Sequence, residues 1–167
     1  MPPIIRAVSR NTEQSSEPDP AFGPPPGKRV LGLDVGTKRI GIAVSDELRL
    51  LARGLNTLQR QSKRVDLEKL ADIIQEYGIA EIVVGHPLRL GGETSAQTDK
   101  VTAFAAELRD RIGLPVHLWD ERLTSAEANR VLRDAEVSTH KRARAVDRIA
   151  AILILQSFME ARRSGYR

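Results

Sequence analysis

The chain has 167 residues, with 26 basic and 22 acidic side chains and a formal net charge of +4, a length that suits one domain. Cysteine is absent, which excludes disulfides, thiolate zinc sites and cysteine nucleophiles. The nearest pair of histidines, His117 and His140, lies 23 residues apart, so a zinc-binding helix with two histidines one turn apart is also excluded. The longest uncharged stretch of the apolar C-terminal segment has 11 residues, whereas a membrane-spanning helix needs roughly 20. These features predict a soluble, cytoplasmic protein.

Residues 1–27 form a proline-rich segment that we predict to be a disordered tail. Seven of the nine prolines lie between Pro2 and Pro26, among serines and acidic residues. A segment of this composition cannot bury enough apolar surface to offset the entropy lost on ordering. We therefore expect the folded domain to occupy residues 28–167, and we expect no signal peptide, because no apolar segment follows the first charges.

The first part of the predicted domain reads as an antiparallel meander. Val30–Asp34 has the composition of a buried strand, residues 36–39 (GTKR) form a turn, and Ile40–Val44 runs back as a second strand. A weaker extended segment from Leu51 to Leu58 predicts a third strand beside the second.

Helices and strands then alternate. Ser62 and Gly78 are typical cap residues for the two ends of a predicted helix. Residues 82–85 (IVVG) form a short apolar strand of the kind found at the centre of a parallel sheet. A glycine-rich loop and a second helix, ended by Gly113, come next, and residues 116–119 (VHLW) predict another strand.

Two helices are predicted after the last strand. The sequence TSAE has the form of a capping box and places a helix start at Thr124. A basic, irregular stretch around residues 138–141 leads to a final helix that is apolar around most of its circumference from Ile149 to Leu155, so this helix must be buried. The complete order predicts an α/β fold whose mixed sheet has five strands, an antiparallel three-stranded meander plus two parallel strands, flanked by helices.

Asp34 is the first of three carboxylates in unusual positions. It lies inside the most apolar strand of the chain, where an ionised carboxylate is costly unless a cation pairs with it. Lys38 and Arg39 lie across the turn, so a salt bridge is an alternative explanation for this acid.

Glu121 and Asp147 are the other two. Glu121 follows the strand at residues 116–119, and ligands of α/β sheets bind at the carboxyl ends of parallel strands. Strand alternation sends Asp120 and Glu121 to opposite faces, so we expect only one of them in a shared site; a solvated loop acid is the alternative.

Asp147 opens the last helix and projects from its apolar face. Attraction to the helix N-terminal dipole would explain its position along the helix but not that face.

Three such acids could converge on hard divalent cations. Mg²⁺ is typically held by a few carboxylates together with waters and phosphate oxygens. Two such ions would activate a water and stabilise the leaving oxygen in phosphodiester hydrolysis. Spacing along the chain does not by itself establish this convergence.

Four segments of the sequence resemble, in order, the motifs of one known family. They are GLDVGTKRIGIAVSD at residues 32–46, IVVGHPL at 82–88, DERLT at 120–124 and VDRIAA at 146–151. Gly92, Glu93 and Gln97 fit the loop and helix start between them. On these motifs the chain resembles the YqgF/RuvX family, whose members are named as pre-16S rRNA nucleases or Holliday junction resolvases. The resemblance covers residues 29–160.

The resemblance implies an RNase H-like fold with an acidic active site built from Asp34, Glu121 and Asp147. These residues would hold Mg²⁺ or Mn²⁺, as a pair of ions. The implied function is a metal-dependent endonuclease in 5′ maturation of pre-16S rRNA, with resolution of branched DNA as the alternative. His86 stands where the family usually has leucine, and we assign it no role. Monomer and homodimer both remain open.

The excess positive charge is C-terminal. Residues 138–167 carry seven basic and two acidic side chains, whereas residues 1–137 carry 19 and 20. The residues predicted to contact nucleic-acid phosphates without reading sequence are Lys38, Arg39, Lys141, Arg142, Arg144 and Arg148. An ordinary solvated basic face is the alternative. Aromatic residues are few, so we expect backbone or shape recognition rather than base stacking. The stretch at residues 141–144 looks flexible and is expected to order over the substrate.

Two functions of other classes share some of these features. Actin/Hsp70-like ATPases and sugar kinases also carry an Asp-x-Gly hairpin, but they need two lobes, and a domain of this length holds one. The P-loop motif is also absent. A non-catalytic nucleic-acid-binding module would keep the fold without the chemistry, and the presence of all three acids argues against it.

Overall fold

The computed structural model describes residues 29–89, 91–124 and 139–165, which form a mixed β-sheet covered by helices on both faces. The strands are β1 (Arg29–Val35), β2 (Arg39–Ser45), β3 (Ala52–Gly54), β4 (Leu58–Gln59), β5 (Ile79–His86) and β6 (Val116–Asp120). The helices are α1 (Lys63–Tyr77), α2 (Ala96–Ile112) and α3 (Thr139–Arg163), with a 3₁₀ turn at Glu121–Leu123. Within the described ranges, no helix is both long and apolar enough to cross a membrane. The predicted tail at residues 1–27 lies outside the described residues, as does the body of the helix predicted to start at Thr124.

The strand order confirms the predicted α/β architecture with a mixed sheet. Strands run β3-β2-β1-β5-β6, and β4 also pairs with β2. The pairs β1–β2 and β2–β3 are antiparallel, whereas β5 is parallel to both β1 and β6. The apolar strand β5 occupies the interior position expected from its composition, and Ile82, Val83 and Val84 have no exposed surface.

The third predicted strand is two short strands, so the sheet formed by the described residues has six strands instead of five. Ala43 pairs with Gly54 and Ile40 pairs with Leu58. Gly54 and Leu58 are four residues apart, whereas their partners on β2, Ala43 and Ile40, are three residues apart. One extra residue on one strand is the mark of a β-bulge. This extra residue interrupts the ladder and separates β3 from β4.

Side-chain alternation divides the apolar residues of the sheet between two cores. Leu31 and Leu33 of β1 pack in the core under α1 and α2. Val30 of β1, Ala43 of β2 and Val83 of β5 pack under α3 on the opposite face. Because successive strand residues point to opposite faces, Asp34 belongs to the face that α3 covers.

The helix caps follow the sequence predictions. Ser62 is the N-cap of α1, and its side chain accepts a hydrogen bond from the Val65 amide at 3.3 Å. Gly78 and Gly113 end α1 and α2 in the left-handed region, with φ of 62° and 74°, where a side chain would be strained.

The last helix begins earlier than predicted. Residues 139–141 belong to α3 instead of an irregular stretch, and residues 141–144 are part of the same helix. The expectation that this stretch orders over the substrate stays a prediction. Asp147 therefore lies in the third turn of the described helix and does not open it. This position removes the helix N-terminal dipole as its explanation, because that effect is confined to the first turn. The polar first turns carry no apolar periodicity, which is why the sequence placed the helix start too late.

Candidate active site

Two glycines, one on each of the strands that flank β1, bring the predicted acids together around Asp34. Gly41 of β2 is paired with Asp34 across the antiparallel ladder. A methyl group at position 41 would lie 2.6 Å from the carbonyl carbon of Asp147 and would overlap the carbonyl oxygen. The backbone of α3 therefore rests directly on β2 at this point. Because neighbouring strands are about 4.8 Å apart, Asp147 is held one strand away from Asp34.

Glu121 reaches Asp34 from the other side. It follows β6 directly, in the 3₁₀ turn. A methyl group at Gly85 of β5 would lie 2.5 Å from Oε1 of Glu121 and 2.5 Å from Cδ1 of Ile154. The Glu121 carboxyl group therefore lies over β5, beneath α3. Since β1 lies between β2 and β5, Asp34 has Asp147 on one side and Glu121 on the other.

Burial and mutual repulsion raise the pKa of two of these carboxyl groups. The pKa of Asp34 is raised to about 6, first by burial and then by the charge of Asp147. The pKa of Glu121 is raised to about 7, first by burial and then by the charges of Asp34 and Asp120. Acids from three distant segments therefore act on one another electrostatically, as in many functional sites.

Arg39 pairs with Asp147 and not with Asp34. Its Nε donates a hydrogen bond to Oδ2 of Asp147 at 2.7 Å. Lys38 is exposed in the turn. In the part of the chain that the structure describes, no ion pair involves Asp34, so the salt bridge considered from the sequence does not account for this acid.

The two neighbouring acids at the end of β6 have different environments. Asp120 binds Arg122 through both carboxylate oxygens, with Nε 3.0 and 2.9 Å away, and it accepts a hydrogen bond from the Arg122 amide. The hydrogen bonds from the Arg122 side chain are the main reason that the pKa of Asp120 is lowered. Glu121 is turned towards Asp34 instead. The two acids therefore have different neighbours, and the expectation that only one of them enters a shared site stays a prediction.

The three carboxylates offer the oxygen ligands that hard cations prefer, and their mutual repulsion is of the kind that a bound cation would relieve. Among the described residues, however, no three His, Cys, Asp or Glu side chains already stand close enough to hold a metal ion. The fold thus gathers Asp34, Glu121 and Asp147 at one end of the sheet without arranging them as a finished metal site.

A network that the sequence did not reveal holds the turn after Asp34. Arg60 donates from Nη1 to the Gly36 carbonyl at 2.8 Å and from its amide to the Lys38 carbonyl at 3.0 Å. Its Nε donates to Asp66 at 3.1 Å, and Asp66 is only 1% exposed. The guanidinium also stacks over Phe104. From the sequence alone, Asp66 resembles any acid in the first turn of a helix, so no pattern identifies this pairing.

Not all of the residues predicted to contact phosphates are exposed to a substrate. Arg39 is committed to Asp147, as described above. The exposed members of the set are Lys38, Lys141, Arg142, Arg144 and Arg148. The last four lie on α3 on either side of Asp147, no more than six residues from it.

Comparison with known proteins identifies the family. The family model RuvX, described as Holliday junction resolvase, matches residues 28–161. A relative from Koribacter versatilis, named "Putative pre-16S rRNA nuclease", is 58% identical over 134 residues, which are 80% of this chain and 88% of that protein. A relative of the same name from Geobacillus kaustophilus is 47% identical over 137 residues, 81% of this chain and 99% of that protein.

Solved structures show the same fold. RuvC of T. thermophilus in complex with a Holliday junction substrate gives a TM-score of 0.52 at 14% identity, over 83% of this chain and 97% of that one. The yeast mitochondrial Holliday junction resolvase Ydc2 gives 0.53 at 11% identity, over 87% and 83%. The RNase H-like fold implied by the sequence motifs is thus confirmed. With a family match that spans residues 28–161, the protein belongs to the RuvX family of nucleases, enzymes that hydrolyse phosphodiester bonds.

Proposed function

We propose that this protein is a divalent-metal-dependent endonuclease whose active site consists of Asp34, Glu121 and Asp147. The observation that carries the proposal is the convergence of these three acids from β1, the end of β6 and α3 onto one end of the sheet. Gly41 and Gly85 make room for this convergence. A structural explanation for Asp34 would require a cation at its side, and Arg39 is bound to Asp147 instead.

The donor set suits Mg²⁺ or Mn²⁺, because it consists of carboxylates without histidine or cysteine. In nucleases of this chemistry, a pair of such ions supplies an activated water and stabilises the leaving oxygen. Asp34, Glu121 and Asp147 would hold the ions. Arg39 keeps Asp147 oriented through its Oδ2, and Arg60 fixes the turn that follows Asp34.

For the substrate we propose the precursor of 16S ribosomal RNA, cleaved during 5′ maturation in the cytoplasm. The support is the name carried by the relatives at 58% and 47% identity. A Holliday junction is the second candidate, supported by the description of the matching family model. Basic side chains on α3 would bind the phosphates of either substrate without distinguishing them.

The two candidates differ in the number of active sites that they need. Symmetric cuts in the two strands of a junction require two sites in one assembly, as in a homodimer, whereas single cuts in RNA are possible for a monomer. The oligomeric state of the active species is therefore informative in either case.

The test offers purified protein a pre-16S 5′ fragment and a four-way DNA junction in parallel, each with Mg²⁺, Mn²⁺ or excess EDTA. We expect cleavage of the RNA with either metal and none in EDTA. Asp34→Asn should be inactive, whereas Asp72→Asn, at an exposed acid on the far side of the sheet, should retain activity.

Paired symmetric cuts in the junction, with the RNA intact, would replace the first substrate by the second. Robust cleavage in EDTA, or an active Asp34→Asn variant, would contradict the proposed mechanism for both substrates.

A further inference from the structure

A groove runs along the outer side of the edge strand β3. Its volume is about 420 Å³. Residues 53–56 form one part of its lining, Ile73, Glu76 and Tyr77 of α1 form another, and Arg148 of α3 completes it. The groove thus lies at the edge of the sheet, between α1 on one face and α3 on the other.

Arg148 connects this groove with the candidate active site. It follows Asp147 in α3, and its side-chain stem lies across Gly54 of β3, where a methyl group would come within 2.7 Å of Cδ. Asp147 itself rests on Gly41 of β2. A line from Asp34 on β1 therefore passes Asp147 over β2 and reaches Arg148 over β3. The two strand spacings amount to roughly 10 Å.

The charge of the groove is positive. Within the described part of the chain, no carboxylate forms an ion pair with Arg53 or Arg148. Other arginines do have such partners, for example Arg39, Arg60 and Arg122. The guanidinium of Arg53 lies 5.9 Å from the ring centre of Tyr77, a distance at which a cation and an aromatic face attract. Glu76 contributes one carboxylate to the lining.

Arg144 extends this positive surface along α3. It lies one helical turn before Arg148, so the two side chains occupy the same side of the helix. The Thr57 hydroxyl donates to the Arg144 carbonyl at 3.3 Å, which places this turn of α3 against the end of the groove. Arg53, Arg144 and Arg148, from two separate segments, thus lie along one edge strand.

We propose that this groove binds an unpaired segment of the nucleic-acid substrate, a few nucleotides from the bond that is cut. Arg53 and Arg148 contact its phosphates, and Arg144 contacts the next part of the strand. The groove has the volume of a small-ligand site, so a short stretch of one strand fills it and a second, paired strand would not fit inside it. This inference rests on the proposed nuclease function and adds to it a site for a single-stranded flank, with Arg53 as a residue that no sequence motif indicated.

Binding measurements in the Asp34→Asn background test the groove without cleavage. One probe is an RNA with a single-stranded flank next to the cleavage site, and the other is the same RNA with that flank hybridised to a complementary oligonucleotide. Adding Arg53→Ala should weaken binding of the single-stranded probe about tenfold, the worth of one charge-assisted contact. It should also make the slope of log affinity against log salt shallower by about 0.7. The hybridised probe should bind with unchanged affinity.

Arg109→Ala is the matched control, because Arg109 is an exposed arginine on α2, away from the groove. It should alter neither probe. Arg53→Lys should recover part of the lost affinity, since it restores the charge without the planar guanidinium.

Photocrosslinking locates the strand directly. With 4-thiouridine placed at successive positions on each side of the cleavage site, cross-links from one flank should map to tryptic peptides 54–60 and 70–89, which contain the groove residues Asn56 and Tyr77. Cross-links that avoid both peptides, or equal loss of both probes in Arg53→Ala, would overturn the proposal.

These results are separable from a failure of the nuclease function. If wild-type protein cleaves RNA but Arg53→Ala binds both probes normally, the function stands and the groove assignment is wrong. If wild-type protein cleaves no nucleic acid with either metal, the function is wrong. A change in self-association of Arg53→Ala with unchanged RNA binding would show that the edge strand pairs with protein instead, and would also overturn the proposal.

Discussion

The sheet face that α3 covers buries carboxylates at both of its ends, and the electrostatic environments of the two ends are opposite. At one end, Asp34 and Glu121 lie beneath α3 near Asp147, and their pKa values are raised to about 6 and about 7. At the other end, Glu81 of β5 lies beneath the last turns of α3 and is 1% exposed. Burial alone would raise the pKa of Glu81 as well, but its surroundings more than offset that effect, so its pKa is lowered.

The difference lies in the sign of the neighbouring charges. Glu81 contacts Nε2 of His117 at 2.5 Å, Nη2 of Arg162 at 2.9 Å and Nη1 of Arg49 at 3.2 Å. The hydrogen bond from His117 and the charge of Arg162 are the main influences that lower its pKa. Asp34, in contrast, has acids as its charged neighbours. Burial of a carboxylate therefore does not by itself mark an active site; burial beside like charges is the feature that makes Asp34 and Glu121 candidates.

Removal of an acid at the end of the sheet that holds Asp34 and Glu121 should have the largest effect, which should be a loss of activity. Glu121→Gln should lower kcat by orders of magnitude with an unchanged circular dichroism spectrum, because the amide keeps the shape but loses the charge that, in the proposed mechanism, holds a metal ion. Single-turnover cleavage of the preferred substrate measures this loss.

Asp120→Asn is the matched control for Glu121→Gln. Asp120 is occupied by Arg122, so its replacement should reduce kcat far less than that of Glu121. If Asp120→Asn reduces kcat more than Glu121→Gln does, then Asp120 and not Glu121 serves the site at the end of β6, and the assignment of Glu121 is wrong.

Removal of the acid at the second end should instead affect stability. Glu81→Gln leaves Arg49, His117 and Arg162 without their shared carboxylate, and breaking such a buried arrangement costs about 3 kcal/mol. Urea unfolding should show this loss in the free energy of unfolding, while the kcat of the folded fraction stays near the wild-type value. A large loss of kcat without destabilisation would break the comparison, because Glu81 would then have a role at the active site.

Gly41→Ala should have a smaller effect, and it should lower both the free energy of unfolding and kcat. The added methyl group meets the backbone of Asp147, so α3 must shift away from β2, at a cost of about 1–3 kcal/mol. The shift moves Asp147 away from Asp34, and kcat should fall with it. At Gly54 the methyl group would meet the flexible stem of Arg148 instead. Gly54→Ala should therefore cost less stability, and by displacing Arg148 it should weaken substrate binding while kcat at saturating substrate stays nearly unchanged. Equal effects of the two substitutions on kcat would argue against the positioning role of Gly41.

The sequence predicted those features that depend on local patterns. The hairpin of β1 and β2, the caps Ser62, Gly78 and Gly113, and the interior strand β5 follow from apolar runs and cap residues. The three acids were singled out because each was costly or oddly placed in its own segment. Their assignment as site residues remains a prediction, although the fold brings them together.

Features that depend on contacts between distant segments were not predictable. The bulge between β3 and β4 is a property of register with β2. The pairing of Arg39 with Asp147 joins residues 108 positions apart. The early start of α3 escaped prediction because its first turns are polar, and helix periodicity becomes visible only where one face is apolar.

The dependence of stability on pH should give the smallest effect and the sharpest contrast between the two ends. Asp34 and Glu121 have higher pKa values in the folded protein than the ordinary 3.8 and 4.5. The metal-free folded state therefore retains protons that the unfolded chain releases, and its stability falls as the pH rises from about 4 to about 7. Glu81 acts in the opposite sense, because its pKa is lowered. Its contribution is present above its ordinary pKa and is lost as the pH falls through the lowered value.

Thermal unfolding in EDTA at pH 5 and pH 8 separates these contributions. At pH 8, Asp34→Asn should unfold at a higher temperature than wild type, by a few degrees for about 1 kcal/mol, because one of the repelling charges is gone. At pH 5 the advantage should shrink, since Asp34 is then largely protonated in the wild type. Adding Mg²⁺ should raise the unfolding temperature of wild type at pH 8 more than that of Asp34→Asn, because a cation that binds only the folded state stabilises it. A metal-free wild type that is more stable than Asp34→Asn at pH 8 would mean that Asp34 is compensated by a cation after all, and that the two ends of the sheet differ less than their geometry indicates.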